Sequence, residues 1–548
     1  MKTKLFFFVL FAAVIMVLSV QSSFSQVNQV WEQRYNGSAD STDYTEQIVV
    51  DAQGNIYVTG ATISGGGAHY DMVTIKYGPD GSIQWLQKYN GPGDSTDYAT
   101  SIAVDISGNV YITGSSFGSG TKSDYVTIKY NSSGVQQWAQ RYNAPDNESD
   151  NAYALTLDAS GNVYVTGTSF IAGSTYDIYT IKYNTSGVQQ WAQRYNAPGN
   201  STDSPSEIAL DDAGNVYVAG YSIGIGTSLD YLTIKYNSAG VQQWEQRYNG
   251  PGNSTDNIFG LQIDGSGNVY ITGFSGGSGS SGDFATIKYN SAGVQQWLQR
   301  YNGSGNGFDV ARSLVLDDSG NVYISGYTTE TASGEDFTTI KYNSAGVQQW
   351  LQSYNGPGNA GDEVNSCTID SSGNVYITGY SKGNGTDYDY ATIKYSSAGA
   401  QLWVERYNGP TGNVDEPKSI AVDGSGFVYV SGRSRSATGF DIATIKYAQT
   451  IGIQNIGSEI PASFTLGQNY PNPFNPKTNI ALKIAKSGFV SMKVYDISGK
   501  EVAVLVNEVL SAGVYNVDFN ASLLASGTYF YRLETDGFSD VKKMVLVK

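Results

Sequence analysis

From residue 26 to residue 447 the chain reads as short runs of alternating apolar and polar residues, broken by glycine, asparagine and serine. One stretch shows the scheme. Ser101-Ile102-Ala103-Val104-Asp105 leads into a tight turn at Ser107-Gly108-Asn109, followed by Val110-Tyr111-Ile112-Thr113-Gly114. A Gly/Ser loop then leads to Asp124-Tyr125-Val126-Thr127-Ile128-Lys129-Tyr130, and a second tight turn at 131–134 to Val135-Gln136-Gln137-Trp138. Two-residue alternation over runs this short predicts four β-strands, which we name A, B, C and D. Both tight turns carry glycine where a positive φ is expected.

The same four runs recur. All eight tryptophans fall in one series, Trp31, Trp85, Trp138, Trp191, Trp244, Trp297, Trp350 and Trp403, spaced by 54 residues and then by 53. A period near fifty holding four strands predicts a propeller blade and not a helical solenoid. The expected fold is all-β, an eight-bladed propeller over 26–447. A D-type strand at 30–35 stands first with no partner run before it, and the array ends at Thr444-Ile445-Lys446-Tyr447 with no D strand after it. The N-terminal strand is therefore expected to complete the last blade by strand exchange, which removes exposed edges. The alternative register starts each blade at its tryptophan and closes without exchange. The pattern of Asp, two residues, then Gly-Asn-Val-Tyr-Val-Thr-Gly at 158–167 resembles the bacterial β-propeller repeat family often called seven-bladed propeller repeats. The chain departs from that name by carrying eight units. The resemblance implies a fold and says little about ligand or activity.

Comparing the units with one another separates constant from variable positions. Cys367 occupies an apolar column with Ile48, Ile102, Leu155, Ile208, Leu261, Leu314 and Ile420, so it reads as core and not as a reactive thiol. The tyrosine columns of Tyr111, Tyr130 and Tyr142 are complete; packing between blades accounts for them better than sugar stacking. One aspartate column precedes strand C: Asp71, Asp124, Asp177, Asp230, Asp283, Asp336, Asp389 and Asp441. The other is placed in the D–A loops: Asp43, Asp97, Asp150, Asp203, Asp256, Asp309, Asp362 and Asp415. No cofactor is expected. Calcium on the loop aspartates is the one metal left open, but no D-x-D-x-D-G loop is present. Capping of loop N–H groups, or pairing with the strand-C lysines (Lys76 to Lys446), is the preferred role.

The two ends of the chain differ from the repeats. Lys2 and Lys4 precede an apolar run over 5–18 and small residues up to Ser25, the layout of a secretory signal peptide over 1–25. An uncleaved membrane anchor is the alternative, though the run is short for a span. No cysteine near the cleavage point offers a lipid anchor. Residues 448–460 read as a linker. Over 461–548, strand-like runs at 490–495, 502–506, 514–519, 527–533 and 541–547 predict a small Ig-like β-sandwich. Its pieces NYPNPFNP, VYDISGKEV, SAGVYNVDFN, ASGTYFYRL and KKMVLVK resemble the C-terminal sorting domain of type IX (Por) secretion substrates. That resemblance implies Sec export to the periplasm of a Gram-negative bacterium, then a type IX outer-membrane translocon as partner. Release or cell-surface attachment would follow.

Composition narrows the function. The net charge is −17, and since 461–548 holds nine Lys/Arg against seven Asp/Glu, the repeats carry the acidity. Such a surface repels phosphate backbones, so nucleic acid is not expected as a partner. His69 is the only histidine, which excludes serine-hydrolase triads and histidine zinc sites. No catalytic residues are assigned. The expectation is an exported binding scaffold for a polysaccharide or protein; the rivals are a carboxylate-based glycosidase or lyase, and a structural surface protein without a ligand. The binding surface is placed in the B–C loops, which vary while the A–B and C–D turns are copied. The candidates there are His69, Tyr70, Phe117, Phe170, Tyr176, Tyr221, Tyr327, Tyr388, Arg433 and Arg435.

Overall fold

The computed structural model describes residues 27–64, 69–172, 175–449, 453–457, 460–521 and 524–548. The expected signal peptide at 1–25 lies outside the described residues. Two compact units emerge, one spanning Gln26–Thr450 and the other holding Ile451–Lys548. Among the described residues every regular element is a strand, and no helix is long and apolar enough to cross a membrane.

In the first unit the strands form eight four-stranded antiparallel sheets, in the arrangement of a β-propeller. Seven are built from consecutive strands in the order A–B–C–D. Repeat 2 is typical, with Asp97–Val104, Val110–Phe117, Ser123–Tyr130 and Gln136–Tyr142. The eighth sheet takes A, B and C from Asp415–Val422, Val428–Arg435 and Phe440–Gln449, and D from the N-terminal strand Val27–Tyr35. The A strands pack one against the next in a complete cycle, that of repeat 8 against Asp43–Val50 of repeat 1. They are therefore the inner strands.

Apolar side chains are buried between sheets as well as within them. Tyr57 and Met72 of repeat 1 enter a cluster with Ile102, Val110 and Ile128 of repeat 2. Tyr429 and Ile442 of repeat 8 enter the corresponding cluster of repeat 1. Each sheet thus covers one face of the next, as the tyrosine columns required. Cys367 lies in such a cluster, its amide and thiol donating to Ser313 Oγ at 3.1 and 3.2 Å. Burial pushes its thiol up to about 11, which keeps it unreactive.

Every A strand carries a β-bulge three residues after its aspartate, for example between Ala99 and Ser101. The bulge turns a backbone carbonyl toward strand B, and there the sequence supplies glycine. A Cβ on Gly114 would lie 1.8 Å from Tyr98 O, and one on Gly220 2.1 Å from Ser204 O. This glycine is a strand residue at a close approach, not a turn residue.

The second unit has two four-stranded antiparallel sheets around one apolar core that includes Ile480, Val494, Val517, Tyr531 and Met544. Two parts of the expected linker are strand. Residues 448 and 449 extend strand C of repeat 8, and Ile453–Gly457 pairs with Gly513–Asn520. The short run at 453–457 has too little alternation to be recognised alone. Lys477–Ile484, whose residues alternate exposed and buried, was also missed.

Candidate functional site

The ring has two ends of different character. At one end lie the A–B and C–D turns. Asp105 accepts bonds from the Ser107 and Asn109 amides, from Asn109 Nδ2 and from Tyr111 Oη, at 2.7 to 3.1 Å. Burial opposes the charge, but these bonds hold the carboxyl below the usual carboxylate range. The C–D turns join neighbouring sheets. Trp85 Nε1 and Lys76 Nζ of repeat 1 both donate to Ser132 O in the turn of repeat 2. The Trp85 ring lies so close over Gly134, at φ +81°, that a Cβ there would meet it at 2.8 Å. The copied sequence of this end therefore has structural causes.

At the other end lie the D–A and B–C connections and the start of the A-strand ring. Seven of the aspartates assigned to the D–A loops are instead the first residues of strand A, and Asp309 directly precedes its strand. All eight are buried. Each accepts a loop amide six residues earlier, as Gly91 N–H donates to Asp97 Oδ2 at 2.6 Å. Desolvation pushes them upward, Asp309 to about 6. These bonds make the aspartates caps of the loops that precede strand A.

The strand-C aspartates do not pair with the lysines, contrary to one of the expected roles. In repeats 8, 2, 5 and 7 the partners are strand-D arginines, Arg34 with Asp441, Arg141 with Asp124, Arg300 with Asp283 and Arg406 with Asp389, at 2.8 to 3.0 Å; repeat 6 has Ser353 at that place, and Asp336 accepts from Ser333 Oγ at 2.7 Å. Antiparallel pairing points each lysine toward the opposite end. There it covers the strand-B tyrosine, as Lys129 does Tyr111 at 4.9 Å, and reaches the next turn.

The expected B–C loop residues are mostly strand residues. Tyr221, Tyr327 and Arg433 lie inside strand B, one position past its glycine. Phe117, Phe170 and Arg435 end that strand, while Tyr70, Tyr176 and Tyr388 begin or flank the paired start of strand C. The expected strand B ends at this glycine, whereas the ladder runs through it. Tyr327 is buried, at 9% exposure, whereas His69 is exposed. Phe170 meets Tyr176, and Lys382 covers Tyr388.

The column that the sequence reading missed is the bulge itself: Glu46, Thr100, Tyr153, Ser206, Phe259, Arg312, Asn365 and Lys418. No other strand-A position varies so widely in size and charge. Arg312 lies over the rings of Phe259 (4.9 Å) and Tyr327 (5.7 Å) and reaches Glu363 at 3.8 Å. Lys418 reaches Glu46 across the seam at 3.1 Å. The signal was present, as an inner-strand position where eight copies hold eight different residues.

Comparison with known proteins agrees with both units. The family described as "Beta-propeller repeat" matches residues 84–120, 190–226, 356–385 and 403–441. The family described as "Secretion system C-terminal sorting domain" matches 468–548. The chain carries β-propeller repeats and a type IX sorting domain. The sorting domain makes it a secreted or cell-surface protein and gives it the type IX secretion machinery as a partner. In that domain the NYPNPFNP segment is structural: Phe474 is buried and its backbone pairs with Val545 and Val547, while Asn469 bonds Thr478 Oγ1 and Pro471 O.

No curated protein matches. Among solved structures, a fungal alcohol oxidase of the AA5 family in complex with copper is 13% identical, with 82% of this chain and 96% of that one covered and a TM-score of 0.36. A Bacteroides thetaiotaomicron protein of unknown function is 12% identical over 76% and 100%, TM-score 0.28. A Synechocystis apocarotenoid oxygenase mutant is 10% identical over 76% and 98%, TM-score 0.34. TM-scores this low carry no argument for a shared activity.

Proposed function

We propose that this chain is an exported binding scaffold. In this reading the eight sheets are the blades of one closed propeller, and Ile451–Lys548 is an Ig-like sandwich that delivers it through the type IX route after a Sec signal peptide. The ligand, a polysaccharide or a protein, sits on the end of the ring where the B–C connections and bulges lie. Catalysis is not part of the reading: the chain has a single histidine, His69, and the repeated carboxylates cap loops or pair with arginines.

One observation carries the proposal. Eight copies of one unit hold the turn end nearly constant and vary the opposite end, at the bulge and at the residue after the strand-B glycine. Loops and strand ends on a rigid frame are the usual seat of recognition. The test compares two variants of the full chain on an array of glycans and extracellular polypeptides. One replaces Tyr221, Tyr327 and Tyr388 by serine; the other replaces Ser132, Ser238 and Ser344 by alanine. Binding lost in the first and kept in the second is the expected result. Loss only in the second would move the site to the turn end and overturn the reading.

A further inference from the structure

The variable end retains one chemical feature in every unit, though never in one column. In repeats 1 and 2 the second residue of strand A is Tyr44 or Tyr98, and the strand-B residue facing it is small, Ala61 or Ser115. In repeat 3 the ring moves to the bulge, as Tyr153, and Thr168 Oγ1 donates to its phenol at 3.2 Å. In repeats 4, 6 and 7 it moves to strand B, as Tyr221, Tyr327 and Tyr380. The strand-A partners there are Ser204, Val310 and Glu363, none aromatic. Repeat 5 supplies Phe259 and Phe274, with centroids 6.1 Å apart, and repeat 8 supplies Phe440 beneath Arg433.

Where one position loses its ring, a neighbour gains one. Independent drift of eight copies has no reason to keep such a balance. The rings also touch between units: Tyr44 stacks on Tyr98 at 5.9 Å, and Tyr70 lies 5.4 Å from Tyr98. Most of them are partly exposed, Tyr153 at 37%. The result is a belt of aromatic faces where the inner strands begin.

The charges on the belt define what it accepts. Three of its cations are matched, Arg312 by Glu363, Arg433 by Glu416 and Lys418 by Glu46, while Arg435 lies over the Phe440 ring at 5.0 Å. Glu335 and Glu207 are left over, and burial pushes Glu207 up to about 7.

Resting on the proposed binding end, we propose that this belt is the site for a neutral oligosaccharide chain. Sugar rings present C–H faces to aromatic side chains and hydroxyls to polar ones, and belt charges that nearly cancel favour an uncharged chain over a polyanionic one.

The experiment is calorimetric titration of the full chain with cellohexaose, xylohexaose, mannohexaose and an oligogalacturonate of equal length. It is repeated on Tyr44→Ala/Tyr98→Ala and on Tyr44→Phe/Tyr98→Phe. We expect binding of at least one neutral hexaose and none of the oligogalacturonate. The alanine pair should lose about tenfold in affinity and the phenylalanine pair little, since stacking needs the ring and not the hydroxyl. Retained phenylalanine-pair binding also guards against misfolding as the cause. Binding of the oligogalacturonate alone would overturn the neutral class and leave the binding end standing. Neutral binding untouched by the alanine pair would overturn the belt, and silence with all four sugars would overturn the glycan assignment.

Discussion

Arg34 offers a direct test of how the ring is held shut. Its guanidinium donates to Asp441 at 3.0 and 3.2 Å, to Ser434 Oγ and O at 2.7 and 3.1 Å, and to Tyr407 Oη of repeat 7 at 2.8 Å. Arg141 repeats this inside the ring, bonding Asp124, Ser116 Oγ and O, and Tyr89 Oη. Charge-assisted bonds are worth roughly 1.5–3 kcal/mol, and removing one partner of a buried pair costs about 3–5 kcal/mol. Side-chain exposures of 21% for Arg34 and 8% for Asp441 bring the value for Arg34→Ala to about 3 kcal/mol. Arg141→Ala should cost a similar amount. The consequences differ because the Arg141 strand is joined to described strands through connections at both ends, whereas among the described residues Val27–Tyr35 is so joined only at its C-terminal end. Arg34→Ala should therefore open that strand locally. Amide exchange in Val27–Tyr35 and in the facing half of Phe440–Gln449 should accelerate about a hundredfold, at roughly 1.4 kcal/mol per decade. Arg141→Ala should leave Gln136–Tyr142 protected to the level of global unfolding. Hydrogen exchange read by mass spectrometry decides the matter. Equal acceleration at both sites, or none at Val27–Tyr35, would refute the reasoning.

Gly114→Ala should destabilise the propeller by about 3 kcal/mol in urea unfolding, because its Cβ would meet Tyr98 O at 1.8 Å. Gly424→Ala, which has open space around it, should change nothing measurable. Asp309 is protonated more readily folded than unfolded, so its contribution to stability grows as pH falls from about 6 toward its ordinary value. The gain is at most ~3 kcal/mol, and Asp309→Asn should abolish it; parallel pH profiles of the two proteins would count against the burial argument. Removal of 461–548 should leave a folded propeller that does not leave the periplasm of a type IX-competent host, as cell fractionation would show; normal surface display would contradict the sorting role.

The repeat was legible because packing imposes it. A tyrosine that must cover the next sheet, or a glycine beneath a tryptophan ring, recurs every 53 residues and stands out without structural knowledge. Strand order followed from the turns, and the unpaired runs at 30–35 and 444–447 pointed to each other. Side-chain partners were less accessible. Asp124 and Lys129 occupy one strand, but the ladder sends them to opposite ends of the sheet, so Arg141 was the partner to look for. The bulge was invisible to a two-residue periodicity, and with it went both the meaning of Gly114 and the position that Tyr153 and Arg312 share. The aromatic belt eluded column-by-column reading for a further reason: its rings change column from unit to unit, and only the registers of strands A and B place them together.

The exchanged strand also sets how the propeller bears load. Strand Phe440–Gln449 is the one that continues toward the sorting domain, and in its sheet it is flanked on both sides, by Val428–Arg435 and by Val27–Tyr35. A pull arriving through residue 450 therefore acts on a strand clamped by two ladders, not on an edge strand that can be peeled away. Gln449 reinforces the point of entry: its side chain bonds Gly426 O, Tyr376 Oη and Lys394 Nζ, which links repeats 7 and 8 where a C–D turn would otherwise sit. Had the ring closed without exchange, the strand leaving it would have been an outermost one, resisting tension one hydrogen bond at a time. As built, traction on the tether must shear both ladders together, and the place where the ring was joined is the place best able to be towed.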